Sequence, residues 1–327
     1  MYHFCTLFDS TFLTRGLAMY ESLRGNCDSF HLYVFAFDDR CYEILGGLAL
    51  EKVTVISLKE FESSELLALK PMRTRAEYCW TCTPSIIRYS IDQFELDHCT
   101  YLDADLYFWN SPKYLLEEMG ENSILITEHR YPPRYDQSKK SGKYCVQFMT
   151  FRDDERGNKA LNWWRDACNV WCYDRFEGGK FGDQKYLDDW TERFEGVHVL
   201  RHMGGGVAPW NIQQFDIVER RDKLFGRVKN SEIEFELIFY HFHQLHFFIN
   251  GQIDLGSYKL SEHVKKFIYR PYIKHLEKIQ TELPEIEQFI SMHGASRLNL
   301  NCKILLRHIK RKLLSNILNK NEFLVAE

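Results

Sequence analysis

The run from Tyr101 to Phe108 constrains this chain more than any other stretch. An apolar segment, Cys99 to Leu102, leads straight into two carboxylates, Asp103 and Asp105, and a second aromatic-apolar segment follows. In extended backbone, residues two apart point to the same side. The spacing therefore predicts that both acids aim at one point beyond the end of a buried strand. Two carboxylates so close repel each other and lose hydration, a cost that a cation between them offsets. A hard dication, Mg²⁺ or Mn²⁺, shared with a phosphate group is the economical occupant.

The segments before this run alternate in type. Phe4 to Phe8 reads as a buried strand ending at Asp9, and Leu13, Leu17, Tyr20 and Leu23 then recur at helical spacing. His31 to Phe37 and Val53 to Leu58 are further β-prone runs. Strand, helix and strand within about forty residues predict a βαβ unit, hence an α/β fold with a mostly parallel sheet flanked by helices. Thr83-Pro84 predicts an N-cap and first-turn proline opening a helix through Phe94, which delivers the chain into the Cys99 strand. Ligands of open α/β sheets bind beyond the carboxyl ends of the strands. Thr6, Asp9, Asp103 and Asp105 are all placed at such ends.

Ile124 to Thr127 and Tyr144 to Phe151 read as strands, with a mobile polar loop, Pro132 to Gly142, between them. From Asn158 to Asp174 the apolar positions Ala160, Trp164, Ala167, Cys168 and Trp171 define an amphipathic helix whose tryptophans belong to the core. Asp183-Gln184 opens a short helix after a glycine turn. The segment His202 to Asn211 is the most glycine-dense of the chain, and glycine lets backbone amides approach a phosphate or sugar closely. Leu237 to Phe248 is predicted as one strand in which His241 and His243 share a face, either of them a ligand.

The chain's 327 residues allow one large domain plus an appendage. A formal net charge of -4 argues against a general nucleic-acid binder. No secretory signal or membrane span is read, so the ten cysteines are expected as reduced thiols in the cytoplasm. A zinc site joining Cys79 and Cys82 to Cys168 and Cys172 is disfavoured, because the second pair lacks zinc-knuckle spacing. A catalytic domain is expected over 1–256 and a C-terminal helical extension over 257–327, with a helix from Ser257 to Gln280. Between Gln288 and Asn321 there are seven Lys/Arg and no acid. Leu305, Leu306, Ile309, Leu313, Leu314 and Ile317 gather on one side of a helical wheel there. That basic amphipathic pattern suits an anionic membrane surface, so peripheral attachment is expected.

The Asp103-Ala104-Asp105 run resembles the D-x-D segment of GT-A-fold glycosyltransferases, nearest to bacterial surface-polysaccharide and lipopolysaccharide enzymes and more distantly to glycogenin-like retaining enzymes. The resemblance covers about residues 2 to 275. Thr6, Asp9, Arg15 and Arg88 carry it, with Phe181-Gly182-Asp183-Gln184, Ala208-Pro209-Trp210-Asn211 and Phe239-Tyr240-His241-Phe242-His243. It implies a nucleotide-diphospho-sugar donor, with a UDP-sugar favoured, and a saccharide or lipid-linked saccharide acceptor. Asp103 and Asp105, with His241 or His243, would hold the cation. Thr6, Asp9, Arg15, Gly205, Trp210 and Asn211 would serve the donor, Arg88 its diphosphate, and Asp183 and Gln184 the transferred sugar or acceptor. Gln244 stands where the glycogenin-like pattern has glycine, and Tyr144 to Phe148 departs from an Asn-x-Gly pattern. Asp183 and Asp216 are candidates for the base that an inverting enzyme needs; the glycogenin-like character favours retention. A metal-dependent phosphohydrolase and a non-catalytic scaffold of transferase ancestry are the competing classes.

Overall fold

The computed structural model describes residues 1–221, 223–283, 294 and 315–325. Its centre is a seven-stranded sheet: β1 (Tyr2–Phe8), β2 (Phe30–Ala36), β3 (Val53–Ser57), β4 (His98–Leu102), β6 (Ile124–Glu128), β7 (Tyr144–Arg152) and β8 (Val197–Val199), with β5 (Leu106–Phe108) lying outside it. The spatial order is β3-β2-β1-β4-β7-β6-β8. Neighbours are parallel except on either side of β7, which runs against both β4 and β6. The expected mostly parallel α/β architecture is therefore present, with one reversed strand.

Alternation along β1 assigns its side chains to two layers. Phe4 and Phe8 pack with Leu13, Leu17 and Tyr20 of the helix Leu13–Asn26, whereas Cys5 and Leu7 pack with Ile86 and Ile87 of the helix Arg75–Phe94. The helix Glu155–Val170 joins the second layer through Trp164, which is fully buried, so its tryptophan is core as expected. The nine cysteines among the described residues are all free.

Several local expectations are corrected. The helix leading to β4 starts at Arg75, not at Pro84. Thr74 caps it, accepting from the Glu77 amide while the Glu77 side chain accepts from the Thr74 amide, and Pro84 lies inside the helix. That reciprocal cap satisfies two otherwise orphaned amides at the helix start, and Pro84 is carried inside the helix at the loss of a backbone hydrogen bond. The Pro132–Gly142 segment is not an open loop. It folds into two short turns, Pro133–Tyr135 and Ser138–Ser141, tied down by Gln184 Nε2 donating to Ser141 O and Lys185 Nζ to Ser138 O. The Leu237–Phe248 run is broken into β9 (Phe239–His241) and a two-residue strand, His246–Phe247, because Gln244 adopts a left-handed φ of 63°. The late helix begins at Glu262 rather than Ser257 and runs on to Glu282.

Ile317, placed by the sequence on the apolar face of a basic helix, lies in a strand. Ile317–Asn319 pairs antiparallel with Gln252–Asp254, which in turn pairs with His246–Phe247. The other positions of that wheel, Leu305 to Leu314, are outside the described residues.

Candidate active site

The acids do not sit on extended backbone. Asp103 to Leu106 is a tight turn between β4 and β5, closed by the Leu106 amide donating to Asp103 O at 3.2 Å. Ala104 turns into the core and the carboxylates turn the other way. β5 pairs antiparallel with β9, with Leu106 opposite His241, so the histidine is delivered beside Asp105. His241 Nε2 lies 3.1 Å from Asp105 Oδ1 and 3.7 Å from Asp103 Oδ2. The three side chains each offer one ligand atom, and these lie within 4.8 Å of one another. His241 rather than His243 completes the cluster; the His243 ring is 5.9 Å away, open to the cleft and edge-on to Trp210.

Electrostatics fit a cation. Burial holds the Asp103 carboxyl above its ordinary range, and neighbouring Asp105 adds to this against the pull of His241. Burial acts on Asp105 in the same direction, but the charge and hydrogen bond of His241, helped by Arg15, outweigh it and bring Asp105 down to about 2. Two oxygen donors and one imidazole suit a hard or borderline divalent ion. Tyr101 Oη further fixes Asp103 by donating to Oδ1 at 2.8 Å.

The acids stand where two lobes of one cleft meet. The larger, about 470 Å³, is walled by Asp183, Gln184, His129, Trp210 and Tyr258. The smaller, about 370 Å³, opens at the end of β1 against Asp9, Phe12, Arg75 and Cys79. Trp80, Thr83, Tyr101, Asp103 and Asp105 line both. In the larger lobe, burial first and Asp103 second push the Asp183 carboxyl up to about 8. In the smaller, Asp9 is held by Arg75, with Nε to Oδ2 at 2.5 Å.

Other expected donor residues are placed elsewhere. Thr6 shares the face of Phe4 and Phe8, fully buried under the Leu13–Asn26 helix, and lines neither lobe. Arg15 is buried beneath the site, donating to Leu245 O at 2.8 Å and stacking on Phe12. Arg88 points to the far side of its helix, where it bonds Asp92 and Asn158 and lies 3.5 Å from Asp153. It ties the two helices of one layer together and does not face a diphosphate. Arg88→Met is therefore expected to lower stability by about 1 kcal/mol, seen as a lower Tm, while leaving nucleotide-sugar affinity unchanged; a weakened donor affinity at unchanged Tm would restore the diphosphate role. Asp216 lies on an exposed strand 3.8 Å from Lys229, away from both lobes.

The glycine segment is a packing device. A Cβ on Gly204 would lie 1.9 Å from the Glu236 carbonyl oxygen, and one on Gly205 would lie 2.6 Å from Leu200 Cδ2. Gly205 lines neither lobe. Close packing also explains Asn211, which is buried and donates to His129 O and Gly206 O, each at 2.9 Å, to shape the turn that presents Trp210. Arg130 donates to three carbonyls of the same segment, His202, Met203 and Gly205, and to that of Leu200 just before it. Sequence reasoning missed Trp80, Arg75 and His129: Trp80 stands inside the Cys79–Cys82 pair, which was weighed only for its thiols, and only the fold brings the three side chains to the cleft.

No family model matches the chain. Its structure resembles that of LgtC, a galactosyltransferase crystallised with donor and acceptor sugar analogs, at a TM-score of 0.52 and 12% identity, over 88% of this chain and 99% of that one. An active-site mutant of LgtC gives the same score at 11% identity. The fold is thus that of the GT-A glycosyltransferases. In sequence, the chain is 32% identical over 304 residues to the uncharacterized protein YfnD of Bacillus subtilis (strain 168), covering 90% of this chain and 96% of that protein. It belongs to the YfnD family. The uncharacterized protein YfnF of the same organism is 28% identical over 247 residues, 73% of this chain and 80% of its own length.

Proposed function

We propose that the chain is a divalent-cation-dependent glycosyltransferase that moves a sugar from a nucleotide-diphospho-sugar, a UDP-sugar by preference, to a saccharide acceptor of a cell-surface polysaccharide. The observation that carries this reading is the position of the Asp103–Asp105–His241 cluster at the junction of two lobes. A donor laid across that junction has its nucleoside toward Asp9 and Arg75, its diphosphate over the acids, and its sugar toward Asp183 and Gln184. Mn²⁺ or Mg²⁺ held by the three side chains would supply Lewis-acid stabilisation of the negative charge that grows on the departing diphosphate.

The larger lobe does the rest. Burial, with Asp103 beside it, holds the Asp183 carboxyl up to about 8 in the metal-free protein, which suits it to donating a hydrogen bond to a sugar hydroxyl more than to acting as a general base. Asp216 lies outside the cleft, while Asp174 is a further carboxyl on the larger lobe's wall; retention of configuration is proposed from the glycogenin-like resemblance. Trp210, fixed by its Nε1 donating to His129 O at 2.9 Å, offers an apolar face at the lobe's wall. No helix among the described residues is long and apolar enough to cross a membrane. The reading for the basic segment before Asn321 is contact with an anionic membrane surface on the cytoplasmic side, close to a lipid-linked acceptor.

A thermal-shift screen of UDP-, GDP-, CDP- and dTDP-sugars, each with Mn²⁺, Mg²⁺ or EDTA, tests the function. One nucleotide sugar with a dication is expected to raise Tm more than either alone, because a ligand at a hundred times its Kd adds about 2.7 kcal/mol of stability. No shift with any of them in the presence of Mn²⁺ sinks the proposal.

A further inference from the structure

We infer that Gln147 is the positioning residue of the cation cluster, setting the tautomer and aim of His241 and holding Asp103 at the same time. The inference rests on reading Asp103, Asp105 and His241 as a cation site. Gln147 lies on β7, the reversed strand, one step beyond the Leu102–Phe148 pair. It therefore reaches both halves of the cluster. Its backbone carbonyl accepts from the Asp103 amide at 3.0 Å, and its side-chain Oε1 is 2.8 Å from His241 Nδ1.

The chemistry follows from the imidazole. A neutral histidine carries one ring proton, and the nitrogen without it is the one that can bind a metal. With Oε1 as acceptor, the proton sits on Nδ1, and the Nε2 lone pair is left facing Asp105 and Asp103. An outer acceptor of this kind fixes the ring's orientation and raises its basicity as a ligand.

Two further observations support a positioning role over a packing one. Gln147 is fully buried, yet its Nε2 has no hydrogen-bond partner among the described residues. A residue kept for stability alone would be better served by an apolar side chain. Its space is also kept open: Gly206, at φ 89°, has no Cβ where one would lie 3.2 Å from Gln147 Nε2 and 2.6 Å from Thr127 Cγ2. The glycine segment and β7 thus converge on this amide.

The test is Mn²⁺ binding to the full chain without nucleotide, read by the EPR signal of free Mn²⁺, for wild type, Gln147→Leu and Gln147→Glu. Gln147→Leu is expected to bind about tenfold to a hundredfold more weakly. Gln147→Glu, which keeps an acceptor oxygen at the same reach, is expected to bind at least as well as wild type. In EDTA, Gln147→Leu is expected to melt below wild type, because the buried His241 Nδ1 proton loses its acceptor, and Gln147→Glu is expected to keep that bond. A wild type that binds no Mn²⁺ overturns the cation reading itself. A wild type that binds, with Gln147→Leu within about threefold of it or Gln147→Glu as weak as Gln147→Leu, overturns only the role of Gln147. So does a Gln147→Leu protein that loses Tm in EDTA while keeping its Mn²⁺ affinity.

Discussion

Asp105→Asn and Asp103→Asn are expected to abolish Mn²⁺-dependent transfer alike, and to move the stability of the metal-free protein in opposite directions. The shared loss follows from removing one of three ligands, and is expected to lower kcat/KM about 10³-fold, or about 4 kcal/mol of barrier. The opposite stability changes follow from the surroundings of each acid. Asp105 is ionised against His241, with its carboxyl brought down to about 2. A depressed acid contributes stability above its unfolded pKa and loses it as pH falls through the folded one. At pH 7 the substitution therefore costs about 2 kcal/mol, and the wild type alone should lose that increment as pH falls from about 4 toward 2. Burial raises the Asp103 carboxyl, so its charge costs the metal-free fold stability that a neutral isostere restores. Thermal unfolding in EDTA should show Asp105→Asn below wild type and Asp103→Asn above it. Both variants melting on the same side of wild type would show that the two acids share one environment, contrary to the geometry.

Gly204→Ala is expected to be the most destabilising single methyl addition in the glycine segment. The new Cβ would meet a backbone oxygen, Glu236 O, at 1.9 Å, whereas at Gly205 it would meet the mobile ends of Leu200 and Leu115. Backbone yields less readily than a side-chain tip, so a cost of about 3 kcal/mol and a fall in Tm of about 6 °C are expected at Gly204, with a smaller fall for Gly205→Ala. The damage should reach the site. Gly204 O accepts from the Ile238 and Phe239 amides and Val207 O from the His241 amide, so the segment sets the position of β9. Mn²⁺ affinity should therefore weaken in Gly204→Ala. If the glycines instead admit a phosphate, Tm will hold and only nucleotide-sugar binding will suffer.

That comparison also marks where the sequence stops being legible. Strands were readable because Phe4 to Phe8 and Cys99 to Leu102 are short apolar runs with polar ends, and the acids were readable because two charges after a buried run demand a partner. His241 was found, but its choice over His243 needed the β5–β9 pairing, which depends on residues more than a hundred positions apart. Glycine serves close packing and ligand approach equally well in a sequence, so Gly205 was assigned to the wrong one. Thr74 and Glu77 did carry a capping signal, three residues apart, but Thr83-Pro84 imitated one nine residues later. Arg88 fell on a plausible helix with the wrong face assigned, an error of rotation that no spacing within that helix reveals. Gln147 lay in a stretch, Tyr144 to Phe148, marked only as departing from an Asn-x-Gly pattern, because its place beside the acids arises only where β7 turns back beside β4.

The late strand at Ile317–Asn319 has a consequence for the order in which the protein matures. It supplies the outer partner of Gln252–Asp254, and Asn316 Nδ2 donates to the carbonyls of Gly256 and Tyr258, the latter a wall residue of the larger lobe. A nascent chain that has emerged as far as Tyr258 holds the acids and His241 but not the segment that braces the rim beside them. Chains fold from the N-terminus as they are synthesised, so the cleft is finished only after about sixty more residues have been made. A ribosome stalled in that interval would present a cleft with its acids in place and one rim unbraced.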